Sequence, residues 1–270
     1  MMRMVVSPDN EFVKLAAALR QKKRRDETGL FVVEGLRFVQ EAVTAAWRVD
    51  FAVVADESYQ EDLRIQLLAE ELIRQGCSVL SVPESLYRKI SDTQNPQGIL
   101  AVVRQQQNFP PDSRPTGSPL WVILDSLQDP GNVGTIIRTA DAAGAAGVIL
   151  TPECADLYGG KTTRATMGSL FHLPVLRMPI PECLSFCDRH QLALYVAGAE
   201  AANVYAETDL SAPCAIVFGN EGGGVGAEFR HRALANIKIP ILGRAESLNV
   251  ASAAAIILFE AARQKGWTLS

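Results

Sequence analysis

Apolar residues recur along this chain in two rhythms. LFVVEG (Leu30 to Gly35), FAVVAD (Phe51 to Asp56), CSVLSV (Cys77 to Val82) and GILAVV (Gly98 to Val103) are short apolar runs bounded by turn or polar residues, and they read as strands. Between them, LRFVQEAVTAA places Leu36, Val39, Val43 and Ala46 at helical spacing. YQEDLRIQLLAEELIRQG reads as one helix ending at Gly76. Strands alternating with helices predict a small α/β sandwich over residues 1–104. Ahead of it, VKLAAALRQKKRRDETG reads as a helix whose end is basic.

The rhythm stops at RQQQNFPPDSRPTGSP, from Arg104 to Pro119. Its four prolines, polar residues and glycine lack periodicity, which predicts an extended linker over residues 105–119. Beyond it the alternation resumes. LWVILD is nearly all apolar, as expected of a strand buried on both faces. GVILT, LALYVAG, CAIVFG and IKIPIL read as further strands, the last ending at Pro240, and LNVASAAAIILFEAARQKG reads as a closing helix. Residues 120–270 are therefore expected to form a mostly parallel sheet covered by helices.

Composition narrows the class. The 270 residues are 48% apolar and 21% charged with a net charge of −4, which describes a folded chain and excludes a histone-like polycation. The cysteines are scattered. Only Cys183 and Cys187 are close, one helical turn apart, and no histidine follows at zinc-site spacing. They read as free core thiols in a reducing cytoplasm, with no structural metal and no disulfide framework. The N-terminal MMRMVVSPDN lacks the apolar stretch of a signal peptide, and no run approaches the ~20 apolar residues of a membrane span. The expectation is a soluble, cytoplasmic protein.

Candidate chemistry sits in three strand-end loops. The first, DSLQDPGNVGTIIRTADAAGA, has neither dinucleotide-loop nor P-loop spacing. Gly131 and Gly134 permit close backbone approach. Asn132 falls at the helix start, as a cap for free N–H groups or as a site residue. Arg138, almost two turns on, reads by itself as a solvated surface residue. The second loop, AIVFGNEGGGV, ends a strand in Gly219, Asn220, Glu221 and three glycines from Gly222. Such backbone either bends sharply or lies against a ligand, in the crevice where open α/β sheets bind one. The third, IKIPILGRAESLNVASAAA, brings Ser247, Leu248 and Asn249 to the start of the last helix, as caps or as site residues.

Together the three loops resemble the motifs of the SpoU/TrmH family of SPOUT RNA methyltransferases, in family order. Asn132 followed six residues later by Arg138 matches the first motif, VFGNEGGGV with Glu221 the second, and IPILGRAESLNVASAAA with Ser247 and Asn249 the third. The likeness runs from about Leu120 to Gly266. GLFVVEGLRFVQEA and SDTQNPQGILAVV resemble the family's substrate-binding domain, a small α/β module like certain RNA-binding ribosomal proteins.

The resemblance implies transfer of a methyl group from S-adenosylmethionine to a ribose 2′-hydroxyl in RNA, most naturally ribosomal RNA. It implies a cofactor held in a C-terminal trefoil knot, with Gly219, Asn220, Gly222, Ile239 and Leu248 at the matching positions. Arg138 is then the catalytic arginine, bridging phosphate and 2′-oxygen. Asn132, Ser247 and Asn249 place ribose and phosphate, and Glu221 holds Arg138 or its loop. No metal is required. A tRNA 2′-O-methyltransferase and a non-catalytic RNA-binding protein are the alternatives.

Two further features bear on partners. Lys22, Lys23, Arg24 and Arg25 cluster at the basic helix end, either complementing the helix dipole or contacting RNA phosphates, with Arg88 and Lys89 extending that surface. The last helix carries apolar or small residues on nearly every face from Val250 to Ala262, more than one sheet can cover, which predicts a homodimer.

Overall fold

The computed structural model describes residues 2–106, 118–220 and 222–266, so most of the expected linker and Glu221 lie outside the described residues. The chain forms two compact units. The first comprises 1–106 with 158–171, and the second 107–157 with 172–270. Among the described residues no helix is long and apolar enough to cross a membrane.

The first unit is built on β1 (Met2–Met4), β2 (Leu30–Glu34), β3 (Val49–Ala55), β4 (Ser78–Val82) and β5 (Ile99–Arg104). They form a sheet of order β1-β4-β3-β5-β2, parallel from β1 to β3 and antiparallel at β5. Alternation places Phe51, Val53 and Ala55 with Leu80, Val82, Leu100 and Val102 in one core, closed by Val13 and Ala16 of helix Glu11–Ala18, its C-cap Leu19, and Leu86, Tyr87 and Ile90 of helix Glu84–Ile90. Ala52 and Val54, between them, are buried too, so the sheet is covered on both faces.

Two expectations are corrected here. The stretch read as one helix from Tyr59 is two, Asp56–Glu61 and Leu63–Arg74. Asp62 is extended between them (φ −114°, ψ 107°), and its carboxylate caps the second by accepting the Arg64 N–H at 2.9 Å. The basic cluster does not end a helix but begins one, Lys22–Thr28. Lys22, Lys23 and Arg24 lie in its first turn, where the helix dipole opposes cations, so the dipole does not account for them.

The second unit carries β6 (Leu120–Asp125), β7 (Gly147–Leu150), β8 (Val175–Arg177), β9 (Ala193–Ala197), β10 (Asn203–Val204), β11 (Cys214–Gly219) and β12 (Ala235–Lys238). Their order is β10-β12-β9-β11-β6-β7-β8, with every pairing parallel. β12 ends at Lys238 rather than at Pro240, since proline has no N–H to extend the ladder. Gly147 admits the Trp121 ring: a Cβ there would lie 2.4 Å from it. Helix Ile180–Arg189 turns Cys183 and Cys187 into the core beside Phe186, and burial pushes both thiols up to about 12.

Tyr87 is fully buried, and its hydroxyl has no hydrogen-bond partner among the described residues. A buried polar group without a partner costs about 1–3 kcal/mol. Tyr87→Phe is therefore expected to raise the melting temperature or leave it unchanged; a clear fall in thermal unfolding would show that the hydroxyl is satisfied in solution.

Candidate active site

A parallel sheet brings the carboxyl ends of its strands to one edge, and the three motif loops leave from that edge. In the β6–β11 register Gly219 stands directly beside Asp125, so the first and second loops start as neighbours.

The first loop enters helix Pro130–Ala142. Its N-cap is Asp129, whose carboxylate accepts the Asn132 N–H at 2.8 Å, with Pro130 at the first helical position. Asn132 is thus not the cap. It lies inside the first turn, and its amide oxygen accepts a hydrogen bond from Asn249 Nδ2 at 3.1 Å. Asn249 caps the last helix, Val250–Gln264, its Oδ1 accepting from Ala251 and Ser252 N–H at 2.9 and 3.3 Å. One side chain therefore both terminates a helix and joins the first motif to the third, 117 residues apart. Both helices pack against each other.

Arg138 is exposed and makes no hydrogen bond or ion pair with any described residue. Six residues at ~100° each leave it roughly a third of a turn around the helix from Asn132, so the two side chains do not share a face.

The second loop folds back on itself. Asn220 and Gly224 exchange backbone hydrogen bonds at 3.1 and 2.8 Å, and Asn220 Oδ1 accepts the Gly222 N–H at 2.8 Å. Its Nδ2 donates to the Ser126 carbonyl at 3.0 Å. Gly219 is required by this fold, because a Cβ there would lie 2.3 Å from Gly224 backbone atoms.

Behind this loop is a cavity of about 610 Å³. Gly219, Asn220, Gly222, Ile239, Ser247 and Leu248 line it, so every expected cofactor residue faces one space. Phe218, Val225, Ile237, Val250 and Ile257 supply apolar wall. Asn132, Arg138 and Asn249 do not line it, and Glu221 lies outside the described residues. The lining also includes Gly198 to Ala201, which the motif reading missed. The signal was a small, flexible turn just past β9 at the same sheet edge.

The expected RNA-binding cluster divides. Arg25 is buried, and its guanidinium donates to the carbonyls of Leu19 and Arg20, both at 2.7 Å. It ties off the preceding helix and is not a surface phosphate contact. Lys22, Lys23 and Arg24 are exposed but pair with Asp26 and Glu27 on their own helix.

Comparison with known proteins shows the family. Residues 119–259 match the SpoU rRNA Methylase family model, and residues 10–101 match an MRM3-like substrate binding domain. The chain is 36% identical to the 23S rRNA (guanosine(2553)-2′-O)-methyltransferase RlmP of Bacillus subtilis, over 96% of this chain and 98% of that one. It is 32% identical to a 23S rRNA (uridine(2479)-2′-O)-methyltransferase of Streptomyces viridochromogenes, over 97% and 93%. It superposes on a crystal structure of AdoMet-bound rRNA methyltransferase from Sinorhizobium meliloti with a TM-score of 0.88 and 36% identity, covering 97% and 98% of the two chains.

The double duty of Asn249 can be separated. Asn249→Ser keeps a capping oxygen but loses the amide that reaches Asn132, whereas Asn249→Ala loses both. The alanine variant should cost about 1 kcal/mol in unfolding experiments and the serine variant much less. Equal losses would mean that the Asn132 link, not the cap, carries the stability.

Proposed function

The chain belongs to the SpoU rRNA methylase family, and we propose that it transfers a methyl group from S-adenosylmethionine to a ribose 2′-hydroxyl of ribosomal RNA. The observation that carries this reading is the meeting of the second and third loops around one cavity, with the first loop joined to the third through the Asn132–Asn249 hydrogen bond. The full-length relatives modify 23S rRNA, and their likeness extends over both units of this chain.

The cavity fits the cofactor. Its size lies within the ~300–1,000 Å³ of ligand pockets, and it combines apolar wall with glycine-rich backbone. Gly219, Asn220, Gly222, Ile239 and Leu248 would hold the cofactor through main-chain groups. When bound, it supplies a methyl group on a sulfonium, already an activated electrophile. The remaining tasks fall to side chains: aligning the 2′-oxygen and stabilising the charge that develops on it.

Arg138 suits the second task. A guanidinium keeps its proton at neutral pH and is a poor general base, but it bridges a phosphate and a developing alkoxide well. Its lack of a partner among the described residues leaves it available. Asn132, Asn249 and Ser247 would hold ribose and phosphate, and Glu221 would hold Arg138 or its loop. The exposed Lys22, Lys23 and Arg24 are the part of the basic cluster open to phosphates. The trefoil knot belongs to this proposal; the building of one cavity from stretches 219–225 and 239–250 supports it. The protein would act in the cytoplasm, in keeping with free, mostly buried cysteines.

Arg138→Ala should lower methyl transfer ~10²–10³-fold while S-adenosylmethionine affinity, read by calorimetry, stays within a few-fold. Turnover like the parent's would remove Arg138 from the chemistry.

The proposal includes a homodimer. Ile241 to Asn249 are exposed, Leu242 almost fully at 98%, and Ile256 and Phe259 stand 38% and 40% exposed on the adjoining helix. That apolar surface calls for cover by a second copy. Light scattering should give twice the 29.2 kDa monomer mass, and Ile256→Asp should halve it. A fully active monomer would defeat this part.

A further inference from the structure

We propose that Asp125 is a positioning residue: its carboxylate clamps the 219–226 loop and thereby sets the affinity for the cofactor. The inference rests on the methyltransferase reading above. Asp125 ends β6 and is 3% exposed. Its Oδ2 accepts the Gly226 N–H at 2.7 Å, and its Oδ1 accepts the hydroxyls of Ser126 and Thr151 at 3.2 and 3.4 Å. Ser126 adopts a left-handed conformation, φ +57°, unusual for a residue with a side chain. Its N–H donates to Thr151 Oγ1 at 2.9 Å, and its carbonyl accepts the Asn220 amide at 3.0 Å. The loop is thus pinned at its start through Asn220 and at its finish through Gly226, both times to residues 125 and 126.

Between the two pins it is held by the reciprocal Asn220–Gly224 backbone bonds and by Val225, which is buried. Gly222, Gly223 and Gly224 are exposed. Asn220, Gly223 and Gly224 line the 610 Å³ cavity on one side and a second space of about 600 Å³ on the other, so the loop is a thin wall with room on both faces. Three successive glycines have more conformations to lose than any other run of the same length. Without a pin the wall would not stay where a ligand needs it. The bond from a backbone N–H to a buried carboxylate is charge-assisted and is the stronger of the two pins. Asp125 lines the second space and not the 610 Å³ cavity, so it reaches a cofactor in that cavity through the loop.

The test uses the full chain, with S-adenosylmethionine binding by calorimetry and methyl-transfer kinetics on rRNA. Asp125→Ala should raise Kd and KM for S-adenosylmethionine roughly ten- to hundredfold, with kcat at saturation changed less than about threefold. Asp125→Asn, whose amide oxygen can still accept the Gly226 N–H, should fall between this variant and the parent. Thr151→Ser, which keeps the hydroxyl that accepts the Ser126 N–H and donates to the carboxylate, should leave the affinity within about twofold. The clamp is overturned if Asp125→Ala binds like the parent. It is also overturned if Thr151→Ser loses as much, or if kcat falls with KM unchanged. Should Asp125→Ala fail to fold, Asp125→Asn decides: a KM raised a few-fold with kcat retained supports the clamp, and an unaltered KM refutes it. A parent chain that bound no S-adenosylmethionine would instead defeat the methyltransferase reading itself.

Discussion

Parallel pairing of β6 with β11 sets Gly219 beside Asp125 at the carboxyl edge of the sheet, and the site grows from that contact. In a parallel sheet every strand points the same way, so successive strand ends crowd one edge and their loops must share space. Close approach then dictates chemistry. Position 219 admits no Cβ because the returning Gly224 backbone occupies its place. Position 125 must be an acceptor because the Gly226 N–H arrives at it with no other partner among the described residues. The cavity behind the loop is a consequence of this packing.

Many of the polar residues at the site also do structural work. Asp129 caps one helix, which frees the Asn132 side chain to reach the cap of another. Asn220 uses its amide for the loop's own fold and presents backbone to the cavity. A choice between structural cap and site residue therefore does not exist for Asn249, which is both. Its substitution should move stability and activity together unless the replacement keeps one oxygen.

The first unit shows how burial reassigns charge. A four-residue cationic run looks uniform as a string of letters, yet its members occupy different environments. Arg25 turns inward to satisfy helix-end carbonyls, a demand that any chain must meet when a helix stops in the interior. Its neighbours remain at the surface, partly neutralised by Asp26 and Glu27. A local count of basic residues thus overstates the charge available to a polyanion.

Read alone, the sequence carried most of the strands, the final helix and the motif loops, because period-two and period-3.6 patterns and glycine clusters are local properties. It also carried residues that line the cavity, since Gly219, Ile239 and Leu248 sit at strand ends or a helix start. What it did not carry depended on contacts between distant segments. The single helix expected from Tyr59 breaks at Asp62, where a capping carboxylate outweighs a continuous apolar pattern. The cap of the first motif helix is Asp129 because Pro130 opens that helix, a shift of three residues that turns Asn132 from a cap into a bridge. Asp125 carried no motif signal, for its function arises only when a loop a hundred residues later folds back upon it. Local rhythm determined the elements; the parallel register and the close packing of glycine backbone decided which side chains meet.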